Sequence, residues 1–106
     1  MTNKIAALND ALRRTGAGGK IVMTRGVAEL PDNIQTNIME AVRDFSDFNE
    51  DNDPYGEHDC AFFEVEGQKF MFKIDYYDKS LEMGSADPSD PAVTTRVLTI
   101  LKASEY

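Results

Sequence analysis

Apolar residues recur at helical spacing near the start of the chain, where Ile5, Leu8, Ala11 and Leu12 share one face of residues 3–15. Gly16, Gly18 and Gly19 end that helix, and Lys20–Arg25 follows as a short β-prone run around Ile21-Val22-Met23. A second helix is predicted from Asp32. Asp32 and Gln35 have capping-box spacing, and Ile34, Ile38, Ala41, Val42 and Phe45 form the apolar stripe. After a polar loop over 46–58 the period shifts towards two, predicting strands over 59–65 and 68–77 joined at Glu66-Gly67. A further short strand is predicted near Leu81–Met83. Asp87-Pro88-Ser89-Asp90-Pro91 then reads as the cap of a last helix with Val93, Val97, Ile100 and Leu101 inward.

These elements predict one α+β domain over residues 1–106. Its sheet is small and antiparallel, of three to four strands with a central hairpin, and its helices pack on one face. The turn sets the register. Val65 faces Gln68, Phe63 faces Phe70, Ala61 faces Phe72 and Asp59 faces Ile74 on what reads as the core side. On the other face Glu64 meets Lys69, Phe62 meets Met71, Cys60 meets Lys73 and His58 meets Asp75.

Composition narrows the setting. Apolar residues make up 42% of the chain, enough for one core. No stretch is long and apolar enough for a membrane span, and the start lacks the apolar region of a secretory signal. Cys60 is the only cysteine, so no internal disulfide forms, which suits a reducing cytoplasm. It reads first as a small buried apolar residue, with a reactive or ligating thiol as the alternative.

Charge is more informative. Residues 1–30 carry five Lys or Arg against two acids, whereas the rest carries six against seventeen, within a net charge of −8. Between Asp44 and Asp59 stand seven acids, Asp44, Asp47, Glu50, Asp51, Asp53, Glu57 and Asp59, with no Lys or Arg. Such a surface repels nucleic acid, whose binding needs clustered cations, and it suits a basic protein partner or a cation. A plain solvated, solubilising face is the competing reading.

Motifs for chemistry are weak. Gly16-Ala17-Gly18-Gly19-Lys20 fails as a phosphate-binding loop, because Arg14 stands where the first glycine belongs and Ile21 where Ser or Thr belongs. Counting a calcium loop from Asp47 puts Asn52 at the glycine position and His58 at the bidentate glutamate. His58, the sole histidine, could join Glu57, Asp59 and Asp75 around a metal. It could also pair with Asp75 beside Cys60 in a Cys-His-Asp arrangement, although residues two apart on a strand stand about 6–7 Å from each other. A structural His58–Asp75 hydrogen bond is the plainer reading. Tyr76 and Tyr77 read as sheet packing plus one exposed tyrosine. No cofactor motif emerges, and the pattern favours a binding protein over an enzyme.

Three segments carry a family resemblance: Asp51-Asn52-Asp53-Pro54-Tyr55-Gly56-Glu57-His58-Asp59, Lys73-Ile74-Asp75-Tyr76-Tyr77-Asp78, and Asp87–Pro91 leading into Thr95-Arg96-Val97-Leu98-Thr99-Ile100. With these the chain resembles, from about Ile5 onward, a family of small bacterial proteins known as domain of unknown function 3768. The resemblance implies a setting on plasmids and other mobile elements, and it carries no activity, cofactor or catalytic residue. Three functional expectations follow. The first is an acidic module that binds a basic protein, as anti-CRISPR or anti-restriction inhibitors do by imitating phosphate charge. The second is a metal-binding module or metal-dependent enzyme centred on His58. The third is nucleic-acid binding through Arg13, Arg14, Lys20 and Arg25.

Overall fold

A computed structural model describes residues 3–106. The elements in chain order are α1 (Lys4–Thr15), β1 (Gly19–Met23), α2 (Arg25–Ala28), α3 (Asp32–Asp44), β2 (Cys60–Val65), β3 (Gln68–Tyr77) and β4 (Thr95–Lys102), closed by a 3-10 turn at Ala103–Glu105. The strands form one sheet in the order β1-β4-β3-β2. Helices and strands build an α+β fold, as the sequence predicts. The sheet itself is mixed rather than wholly antiparallel, since β1 runs parallel to β4. The β2–β3 hairpin lies at one edge of the sheet rather than at its centre.

Local chemistry accounts for most boundaries. The Asn3 side chain accepts from the amides of Ile5 at 2.9 Å and Ala6 at 3.3 Å, which starts α1. Gly16 ends it at φ 78° with its amide on the Leu12 carbonyl. The buried face of α1 is Ala6, Asn9, Leu12 and Arg13, rotated from the predicted stripe, and Ala11 is exposed. Two polar residues, Asn9 and Arg13, take inward positions because they find partners there. The predicted capping box does not form. Pro31 occupies the N-cap of α3 and Asp32 is its first helical residue, while the Gln35 amide donates to the Ala28 and Leu30 carbonyls and so closes the unpredicted helix α2.

The hairpin follows the predicted register from Cys60↔Lys73 to Val65↔Gln68. Both turn residues are left-handed, Glu66 at φ 54° and Gly67 at φ 74°, as expected where a two-residue turn must match the strand twist. No strand forms at Leu81–Met83. Leu81 is itself left-handed, Asp78 accepts from Ser80 and from the Glu82 amide, and only an isolated bridge joins Tyr77 to Gly84.

The predicted last helix is instead strand β4, which lies between β1 and β3. Burial alternates along it: Arg96, Leu98 and Ile100 point to the helices, while Val97 and Thr99 point away. Its β-branched residues at Thr95, Val97, Thr99 and Ile100 suit a pleated surface. Asp87 and Asp90, predicted to cap a helix, accept from Ser89 and Ala92 two residues on and make tight turns. Val93 is exposed rather than inward.

The helices cover one face. Leu12, Val27, Ile38 and Val42 pack against Ala61, Phe70, Phe72, Ile74, Leu98 and Ile100. On the other face Met71 and Leu101 are buried, Lys73 pairs with Asp75 at 2.6 Å, and Tyr106 meets the Phe62 ring edge-on.

Candidate functional site

The acidic segment between α3 and β2 is an ordered loop. Phe45 and Phe48 anchor it, packing edge-on against each other and against Phe72. Two asparagines then fold the backbone. Asn49 Oδ1 accepts from the amides of Asp51 and Asn52, and Asn52 Oδ1 accepts from the Asn49 amide at 2.8 Å. Of the oxygens that suggest a calcium loop, those of Asn49 and Asp53 therefore serve backbone amides, while the carboxylates of Asp47 and Asp51 face outward. Asp53 is buried, and its Oδ1 accepts from the amides of Glu57 at 3.1 Å and His58 at 3.2 Å.

This divides the seven predicted partner-binding acids. Asp44, Asp47, Glu50 and Asp51 are exposed, and no cation pairs with them among the described residues. Asp53 is internal. Glu57 is half-buried and accepts from the Tyr76 hydroxyl at 2.9 Å. Asp59 is half-buried as well, and burial, with the charges of Glu57, Asp53 and Asp75 behind it, pushes its carboxyl up. Tyr55, 82% exposed, lines a groove together with Glu50.

His58 does not meet Asp75. Its backbone is left-handed at φ 57°, which ends the strand pattern before the predicted pairing and turns the imidazole to the helix side. There it stacks on Phe48 with ring centroids 4.1 Å apart. Nδ1 lies 3.0 and 3.1 Å from the two Asp10 oxygens, and Nε2 lies 3.7 Å from Asp53. Asp75 is bound to Lys73 on the opposite face. Among the described residues no three His, Cys, Asp or Glu side chains are arranged to hold a metal ion. Cys60 is half-buried on the far face, and burial, followed by the charges of Asp59 and Asp53, pushes its thiol up and away from thiolate. The Cys-His-Asp arrangement is therefore not assembled.

Asp10, in none of the predicted sites, and Arg13, predicted only as a nucleic-acid-binding cation, hold this region together. Burial would raise the Asp10 carboxyl, but hydrogen bonds from Arg13 and His58 and their charges outweigh it and keep it below its ordinary value. Arg13 donates to Asp10 at 2.9 Å and also to the carbonyls of Val42, Arg43 and Phe45. It thereby caps the C-terminal end of α3 from another helix. Alongside, Asn9 donates to the Glu57 carbonyl and to the Tyr76 hydroxyl, and Arg96 donates to Asn9 at 2.9 Å and to the Pro88 carbonyl. Burial raises the Tyr76 phenol and lowers the Arg96 guanidinium. Helical periodicity gives no hint of these contacts, because it assigns Asn9, Asp10 and Arg13 to solvent.

Residues 23–105 match the family described as Protein of unknown function (DUF3768). The chain belongs to that family. The matched segment of this DUF3768 protein opens at the last residue of β1, so α1 with Asp10 and Arg13 precedes it. No curated protein and no solved structure matches the chain.

Among the described residues of this DUF3768 protein, Asp10, Arg14 and His58 line a groove of about 750 Å³ over a floor of Ala6, Ala7 and Ala11. Of the four predicted nucleic-acid-binding cations, Arg13 is buried and Arg25 pairs with Glu29, while Arg14 and Lys20 are exposed. No helix among the described residues is long and apolar enough to cross a membrane.

Proposed function

We propose that this protein is a non-enzymatic binding module that presents the loop around Asp47, Glu50 and Asp51, flanked by Asp44, to a basic surface on a partner protein in the cytoplasm. In this reading it is an inhibitor of the kind that mobile elements carry against CRISPR or restriction systems. It occupies a nucleic-acid-binding surface by placing carboxylates where phosphates would lie.

The observation that carries the proposal is the division of labour in the loop. Asp53, Asn49 and Asn52 hold its backbone, while the four outward acids have no ion-pair partner among the described residues and the exposed Tyr55 shares a groove with Glu50. A loop held before binding loses little conformational freedom on docking. Tyrosine is enriched in interface cores, and unpaired carboxylates steer a basic partner at a salt-dependent rate.

The test is affinity capture from the native host with the wild type and with a variant carrying Asp47→Asn, Glu50→Gln and Asp51→Asn together. The expected result is a basic nucleic-acid-binding protein retained by the wild type, released by about 0.5 M salt, and lost from the variant. The same partners retained by both forms would refute the proposal.

A further inference from the structure

A second groove, of about 330 Å³, separates the last turns of α1 and α3. Arg13, Arg14 and Arg43 line it together with Thr15, above Ile21 and Met39, and no carboxylate contributes. In a chain with nineteen acids and eleven Lys or Arg, this concavity reverses the sign of the surface. We propose that it binds a phosphoryl dianion, gripped by Arg14 and Arg43. The site goes beyond the acidic loop and uses none of its residues.

Three features support the assignment. Arg14 and Arg43 are both exposed, and neither has a carboxylate within ion-pair distance among the described residues. Second, their backbones are locked together, because Arg13, the neighbour of Arg14, donates to the Arg43 carbonyl at 3.1 Å. Guanidinium forks bind phosphate oxygens bidentately, so the two arginines lining the groove supply the donors that a phosphoryl group takes. Third, helix C-terminal carbonyls would ordinarily repel an anion. Arg13 already binds three of them at the end of α3, and this leaves the two outer arginines for a ligand. Ile21 and Met39 offer an apolar floor for the body of an ester.

Calorimetric titration of the full chain at low ionic strength, with inorganic phosphate, AMP and adenosine in turn, tests the proposal. Phosphate and AMP are expected to bind and adenosine not. Tighter binding of AMP identifies an ester as the ligand, and tighter binding of phosphate identifies the free anion. Arg14→Gln with Arg43→Gln should weaken binding at least about tenfold, with the circular dichroism spectrum unchanged, and Arg43→Lys should weaken it less than Arg43→Gln. No heat with either phosphoryl probe overturns the proposal. So does a double variant that binds as the wild type does, or adenosine binding as well as AMP.

Discussion

The imidazole Nδ1 of His58 lies 3.0 Å from Oδ1 of Asp10, joining a loop to a helix 48 residues away in sequence. Through Asp10 the loop is also coupled to Arg13 and so to the end of α3. The acidic surface thus rests on a short chain of part-buried polar contacts, and disturbing those contacts should be felt throughout it.

Asp10→Asn should lower stability by about 1–3 kcal/mol at neutral pH, since a charged acceptor for two donors is weakened. The Asp10 carboxyl is held below its ordinary value of 3.8 in the fold, so its ionised form favours the native state. The stability gap between wild type and variant should therefore be fully present above pH 3.8 and shrink as pH falls through the lower folded value. Urea unfolding of both proteins across an acid pH series measures it. A gap that widens with acid would contradict the assignment.

Arg13→Ala should cost about 3–5 kcal/mol, because it removes one of the two partners of Asp10 and leaves three carbonyls at the end of α3 unpaired. Arg13→Lys should recover little of this, as an ammonium cannot span the same fork of acceptors. Hydrogen exchange would locate the damage, with protection lost first in the last turn of α3.

Glu66→Asn should stabilise the protein by about 0.5–1 kcal/mol. Glu66 sits at φ 54° in the hairpin turn, where asparagine is tolerated far better than glutamate. Thermal unfolding would register a higher midpoint with unchanged cooperativity.

Thr99→Pro should prevent folding, whereas Thr99→Val should stay within about 1 kcal/mol of the wild type. Thr99 pairs with Val22 on one side and Lys73 on the other, so proline there breaks a ladder inside the sheet. A folded Thr99→Pro protein would rule out β4 as a central strand.

Turn chemistry made the hairpin legible, since Glu66-Gly67 sets a register that alternation then carries along both strands. Helices α1 and α3 were legible from spacing and glycine stops. The last segment was not, because Val93, Val97, Ile100 and Leu101 fit a helical stripe as well as a strand interior. Choosing between them required knowing that Arg96 is buried on Asn9, 87 residues away.

At the candidate site, the run of acids was visible in the sequence, but their roles were not. Asp53 and Asp47 carry the same charge and stand six residues apart, yet one is buried on backbone amides and the other faces water. Sequence by itself determined where charge, turns and apolar faces occur, because those depend on a few neighbouring residues. Only the tertiary structure decided which partners Asp10, Arg13, His58 and Arg96 take. Such pairings depend on where distant segments are brought into contact, and burial makes an unpaired choice too costly to persist.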